Sequence, residues 1–202
     1  MSAEIPTRPY TLRKRADAME ATRRRITEAA MELHGSVGPA RTTMSAVAER
    51  AGVQRQTVYR HFADDGELLG ACSAHFAALH PWPDAARWPS IGDPAERLRV
   101  ALDELYAWYE VTGSMWTTVL RDETLVDAVG PALAPLRAYL DDAAHTLAAG
   151  WGARGGRRTM LLAATRHAVD FHTWRSLAHD GGVSRAGVVE LTSAMVARAA
   201  AA

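Results

Sequence analysis

The stretch that decides the fold is Thr42–Leu69, TTMSAVAERAGVQRQTVYRHFADDGELL. Thr43 is a good N-cap, because its hydroxyl can accept a bond from one of the free N–H groups that open a helix. The helix it starts is predicted to place Val47, Ala48 and Ala51 on one face. Gly52 ends it, since glycine enters the left-handed C′ conformation without a Cβ clash. Val53 leads into a second short helix, where Val58 and Phe62 point inward. The side chains left outside are Gln54, Arg55, Gln56, Thr57, Tyr59, Arg60 and His61. They comprise donors, a guanidinium fork at two positions and a phenol, with no acid among them. A short helix with such a face suits the major groove and its flanking phosphates. The pattern predicts a helix-turn-helix whose second helix reads DNA.

The same residues, TT-x-x-x-VA-x-x-AGV-x-x-x-TVY-x-HF followed by an acid and Glu67-Leu68-Leu69, resemble the DNA-binding segment of the tetracycline-repressor (TetR) family of bacterial regulators. With the arginine-rich helix upstream, the resemblance covers roughly the first third of the chain. It implies an all-α fold: an N-terminal three-helix helix-turn-helix domain, then a helical ligand-binding and dimerisation domain, about nine helices in all. It further implies a double-stranded DNA operator, a small-molecule effector, a homodimer, and phosphate contacts by Thr43, Tyr59 and His61. Arg55 and Gln56, at the front of the reader, have the chemistry for guanine and adenine edges. Two positions depart from the family pattern. Asp65 stands where a phosphate-binding lysine is common, and Gln54 where a small hydroxylated cap is usual.

Charge distribution supports this reading although net charge does not. The whole chain is neutral, but residues 1–62 hold 11 Arg or Lys against 6 Asp or Glu, and the remainder 12 against 17. A basic end on an acidic body suits a protein that offers one end to DNA. A lone cysteine, Cys72, provides no disulfide framework, and no apolar run reads as a signal peptide or a membrane span. A cytoplasmic protein with no membrane partner is expected.

Residues 1–16 are polar and carry Arg8, Arg13, Lys14 and Arg15 around Pro6 and Pro9. They read as a flexible basic arm, either a solvated tail or a segment that tracks DNA. Asp17 and Glu20 form a capping box for a first helix reaching His34. Its buried stripe is Ile26, Ala29, Ala30 and Leu33, with Arg23, Arg24 and Arg25 on the other side. The helix-turn-helix domain is thus residues 17–64 and the effector-binding and dimerisation domain residues 65–202. Asp64 or Asp65 caps a helix to Leu79 that joins reader to body and is the element an effector would displace. A proline-bounded loop with Trp82 and Trp88 follows. Helices are then expected from Pro94 to Gly113, Ser114 to Val129, Pro131 to Gly150, Arg157 to His179, and Ser184 to Ala200.

The body offers no catalytic constellation, no cofactor motif and no metal site. Asp142-x-x-His145 is half of a dimetal pattern at most, no Gly-x-Ser-x-Gly elbow occurs, and Gly150–Gly156 lacks the ending of a phosphate loop. Tyr106, Trp108, Tyr109, Met115 and Trp116 gather at one helix junction, with Phe171 and Trp174 on a later helix. They read either as helical core or as a pocket for a flat apolar effector, with Arg121, His167, Asp170 or His172 as polar contacts.

The last two helices carry Ala163, Ala164 and Ala168 beside Leu161, Val169, Val188, Leu191 and Met195. These residues serve either a two-fold interface or the core of a single chain. A dimer would present its readers about one helical turn apart, roughly 34–36 Å or a multiple, and so demand a near-palindromic site. The function predicted is a sequence-specific transcriptional regulator, a repressor released by a small molecule. The alternative is a helical ligand carrier or enzyme that retains a vestigial helix-turn-helix.

Overall fold

Helix formers run almost unbroken from Leu12 to Leu33, so the first helix starts well before Asp17. A computed structural model describes residues 8–201 and gives α1 as Arg8–Ser36. Pro9 lies in the first turn, where a missing N–H breaks no intrahelical bond, and so it does not hold the chain out of the helix. Residues 8–16 of the expected arm are therefore helix, and residues 1–7 lie outside the described residues. Among the described residues there are nine α-helices and no strand. None of those helices is long and apolar enough to cross a membrane.

The chain forms two compact units. Unit 1 comprises the chain to Leu79 together with Thr118–Ala132, and unit 2 comprises His80–Thr117 and Leu133–Ala202. Unit 1 thus includes the helix that ends at Leu79, which packs on α1.

Unit 1 builds its core from three helices laid around α1. Ile26, Ala29 and Ala30 of α1 meet Met44, Val47 and Ala48 of α2 (Met44–Arg50), Val58 of α3 (Arg55–His61), and Leu68 and Cys72 of α4 (Asp65–Leu79). Phe62, the residue after α3, is fully buried among them. Leu33 is only half-buried, and its neighbour His34 takes the inside position. There His34 Nδ1 lies 3.4 Å from Cys72 Sγ, and its carbonyl accepts from the Thr118 hydroxyl at 2.6 Å. Burial lowers His34 to about 4 and raises Cys72 to about 12, so both are neutral near pH 7.

α5 runs from Pro94 to Asp122 and passes straight through Gly113. The stop expected there is absent, and the glycine has a packing reason instead. A Cβ at Gly113 would sit 3.1 Å from two ring carbons of Trp174. The predicted face Leu98, Leu102, Leu105, Tyr109 and Thr112 is buried throughout. α6 is Val129–Leu147, and the carbonyls of Thr146 and Ala149 at its end accept from Arg97. The long helix expected over 157–179 is in fact three pieces. α7 (Gly156–Val169) stops at Asp170, whose extended backbone (φ −71°, ψ 136°) lets its carboxylate cap α8 (Phe171–Trp174). A π-helical turn, Arg175–Asp180, continues from it, and α9 is Arg185–Ala201.

Candidate nucleic-acid interface and effector site

The reader is fixed from three sides by bonds that its sequence partly announces. Thr43 accepts from the Ala46 N–H at 3.1 Å and starts α2. Gly52, at φ +65°, ends it in a Schellman motif: Val53 N–H returns to the Ala48 carbonyl and Gly52 N–H to that of Glu49. Gln54 is the N-cap of α3, where its backbone carbonyl accepts from Thr57 but its side chain makes no capping bond.

With Val58 and Phe62 buried, Gln54, Arg55, Gln56, Tyr59 and Arg60 are exposed and Thr57 and His61 half-buried. All seven expected DNA-facing residues of the reader therefore share one segment, with Thr43 also exposed. Arg55 donates from Nη2 to the Tyr59 hydroxyl at 3.0 Å, and its guanidinium lies 5.3 Å from the Tyr59 ring centre. Partial burial, then Arg60 and Arg23, hold His61 below the ordinary histidine value against an opposing pull from Glu20.

Sequence reasoning missed what holds the far end of the reader. Arg23, expected on the solvent side of α1, bonds the His61 carbonyl, lies 4.1 Å over the Phe62 ring, and reaches Glu67 at 3.2 Å. Glu67 also accepts from Ala63 N–H at 2.8 Å, while Asp64 accepts from Glu67 N–H at 2.8 Å. The Asp64-x-x-Glu67 spacing was the available signal, being that of a capping box. Asp65 is the exposed first residue of α4, so an acid stands where the family pattern has a phosphate-binding lysine.

The turn that enters α2 is latched inside unit 1. Ala40 N–H donates to the buried Asp122 carboxylate at 3.0 Å, and Arg121 Nη2 donates to the Val37 carbonyl at 2.8 Å. Arg121 also clasps Asp122 through Nε and Nη2 at 2.7 and 3.0 Å. Arg121, expected as an effector contact, has these partners within unit 1. Its hydrogen bonds first, and that of the Ala40 N–H after them, hold the Asp122 carboxyl below the usual carboxylate range against the opposing effect of burial.

In unit 2 the expected aromatics do come together. Trp108 lies 5.5 Å from Trp116 and 5.4 Å from Tyr109, which in turn lies 5.3 Å from Phe171 and 5.7 Å from Trp174. Tyr106 and Met115 are buried with them. Most polar tips are spent within the chain. Tyr106 and Tyr109 donate to the carbonyls of Ala168 and Val169 at 2.6 and 2.7 Å, Trp108 to that of His80 at 3.1 Å, and Trp116 to the Thr112 hydroxyl at 3.0 Å. The other expected polar contacts are turned elsewhere. Asp170 accepts from His172 N–H as a cap, and the exposed His167 ring lies 3.2 Å from the Thr173 hydroxyl. His172 is exposed, beside Phe171.

Residues 26–72 match the model of the bacterial regulatory proteins, tetR family. The HTH-type transcriptional regulator SrpR of Pseudomonas putida is 42% identical over 69 residues, 34% of this chain and 32% of that protein. The chain thus matches about a third of that relative's length. Solved structures extend the likeness to the whole fold. A TetR-like transcriptional regulator from Rhodococcus sp. RHA1 superposes with a TM-score of 0.58 at 18% identity, over 88% of this chain and 94% of that one. The fatty acid degradation regulator FadR from Bacillus halodurans does so with a TM-score of 0.55 at 14% identity, over 87% and 94%. At these identities the likeness is one of fold. The chain is thus similar to the tetR family of bacterial regulatory proteins over its DNA-binding segment, and to solved regulators in its all-α fold.

Proposed function

We propose that the protein is a cytoplasmic, homodimeric, sequence-specific DNA-binding regulator, a repressor released by a small-molecule effector, and not an enzyme. The observation that carries this reading is the acid-free exposed face of α3, seated on the buried Val58 and Phe62 and flanked by the capped N-terminus of α2. Arg55 and Gln56 read base edges, and Thr43, Tyr59, Arg60 and His61 hold phosphates. Gln54, free of capping duty, adds a further reader, and Thr57 lies along the same face.

The aromatic cluster of unit 2 is the effector site in this reading, taking a flat apolar ligand. Linkage requires effector and DNA to weaken each other's binding by the same factor. The dimer is supported by apolar side chains left outside: Met160 on α7 and Leu191 and Met195 on α9 are 56%, 53% and 36% exposed. Leu161, Ala168, Val169 and Val188, by contrast, are buried within the single chain.

The test is retention of random duplexes by the pure full-length protein, followed by sequencing. A near-palindromic site with half-sites about one helical turn apart is expected. Retention that is sequence-blind and lost with modest salt would overturn the reading.

A further inference from the structure

Among the described residues, two buried side-chain polar atoms have no hydrogen-bond partner, Trp174 Nε1 and Ser193 Oγ. A serine hydroxyl can turn toward the carbonyls of its own helix. An indole N–H cannot turn, and it can only donate. Trp174 is 6% exposed, so its donor is stripped of water without compensation. A native protein keeps such a group for a reason.

Two further observations give that reason a direction. The six-membered edge of the indole abuts Gly113, and the rings of Tyr109 and Phe171 lie 5.7 and 5.6 Å away. The ring is thus anchored by one edge, and its N–H is on the other. The backbone carrying it is the least regular helical stretch of unit 2, with the Asp170 break before it and the π-helical turn after it. Inserted π-turns recur at ligand sites, where they re-aim a side chain.

The local charge then sets the kind of acceptor. The Tyr109 hydroxyl is pushed well above its ordinary value, by burial first and by the charge of Asp170 second. Arg175, the nearest cation in sequence, is 3.9 Å from Asp180 and answers that carboxylate. An anion buried here would lose its hydration in the field of a carboxylate, whereas a neutral oxygen would not.

We propose that Trp174 is the hydrogen-bond donor of the effector site. The effector is an uncharged, flat, apolar molecule whose carbonyl oxygen takes the indole N–H while its body lies against Tyr109 and Phe171. This rests on reading the aromatic cluster as the effector site.

Equilibrium dialysis of the full-length protein against three probes of one size tests it: 2-acetonaphthone, 2-ethylnaphthalene and 2-naphthoate. The wild type is expected to hold the ketone about fivefold to tenfold more tightly than either of the others. Trp174→Phe should erase that preference. Because phenylalanine also leaves space, the same measurement is made with 3-benzothienylalanine at position 174, which keeps the ring shape and loses the N–H. A ketone preference that survives both changes overturns the role of Trp174 and leaves the effector site standing. A preference for the naphthoate overturns the uncharged ligand. If the wild type binds none of the three, the site and the donor fall together, and the aromatics are core.

Discussion

Arg55 and Tyr59 form a pair across one turn of the reader, Nη2 to hydroxyl at 3.0 Å, with the guanidinium 5.3 Å from the ring centre. The phenol thereby restrains one of the two arginines of the face, lowering the entropy lost when it meets a base. Arg55→Ala is expected to cost about 1–3 kcal/mol of binding and to relax preference at one base position. Tyr59→Phe should weaken all duplexes, but it should also couple to Arg55 by about 0.5–1.5 kcal/mol in a double-mutant cycle. Additive losses from the two changes would mean that the pair plays no part in reading.

The next prediction concerns Arg23, which joins the end of α3 to the start of α4. It donates to the His61 carbonyl, covers the Phe62 ring and pairs with Glu67. Arg23→Met keeps much of the stem's packing and removes the charge, the hydrogen bond and the cation–π contact. A loss of about 1–3 kcal/mol is expected in urea unfolding. Since most of this comes from groups shielded by Phe62, the loss should persist at 0.5 M salt. Loss confined to low salt would reduce Arg23 to a surface ion pair.

His34 makes stability depend on pH. Burial holds its folded value at about 4, below the 6.5 of an exposed histidine, so the unfolded chain binds the proton first. Its contribution is full above about pH 6.5 and is lost as pH falls toward 4. Between pH 7 and pH 5 this amounts to roughly 2 kcal/mol. Comparing urea unfolding at the two values, His34→Phe should show a clearly smaller drop than the wild type. An identical drop in both proteins would place the acid sensitivity elsewhere.

Gly38 tests the latch on the entry to α2. Its φ of +95° already disfavours any side chain, and an added Cβ would lie 2.3 Å from both Arg121 Nη2 and Asp122 Oδ2. Gly38→Ala should therefore destabilise by about 2–4 kcal/mol, through strain and through displacing Asp122 from the Ala40 N–H. Differential scanning calorimetry reads it directly. A melting temperature within a degree of the wild type would show that the turn has another conformation of equal energy.

These cases mark which parts of the molecule were legible in the sequence. The helix-turn-helix was, because its signals are local: Thr43 caps, Gly52 takes a positive φ, and Val58 and Phe62 are spaced to face one core. The buried face of α5 was legible for the same reason. Gly113 was misread because glycine serves two purposes that sequence does not separate, and the ring that needs its missing Cβ lies 61 residues further on, at Trp174. The Asp170 break lay hidden in a run whose residues all tolerate a helix, and only the capping bond to His172 shows the reason for it. Arg121 was assigned by polarity alone. Its choice between an aromatic pocket and the Asp122 carboxylate is a tertiary matter that spacing cannot decide.

The last prediction separates the two uses of α7 and α9. Their sequence offered eight small or apolar residues to an interface, and the structure divides them. Leu161, Ala168, Val169 and Val188 are buried in the single chain, whereas Leu191 and Met195 stand exposed one turn apart on α9. Ala163 is exposed and Ala164 half-buried on α7, beyond the exposed Met160. A face of small and flexible apolar residues lets two helix pairs approach closely, and leaving it in water would be costly. If it is the two-fold interface, Leu191→Glu combined with Met195→Glu should yield monomers by light scattering at micromolar concentration. Unfolding of the monomer should change little, since neither side chain belongs to the core. Operator affinity should fall by orders of magnitude, because each half-site must then be bound without the tethered second reader. A folded double variant that remains dimeric would place the interface on another surface, and a monomer with undiminished operator affinity would remove the need for a dimer at all.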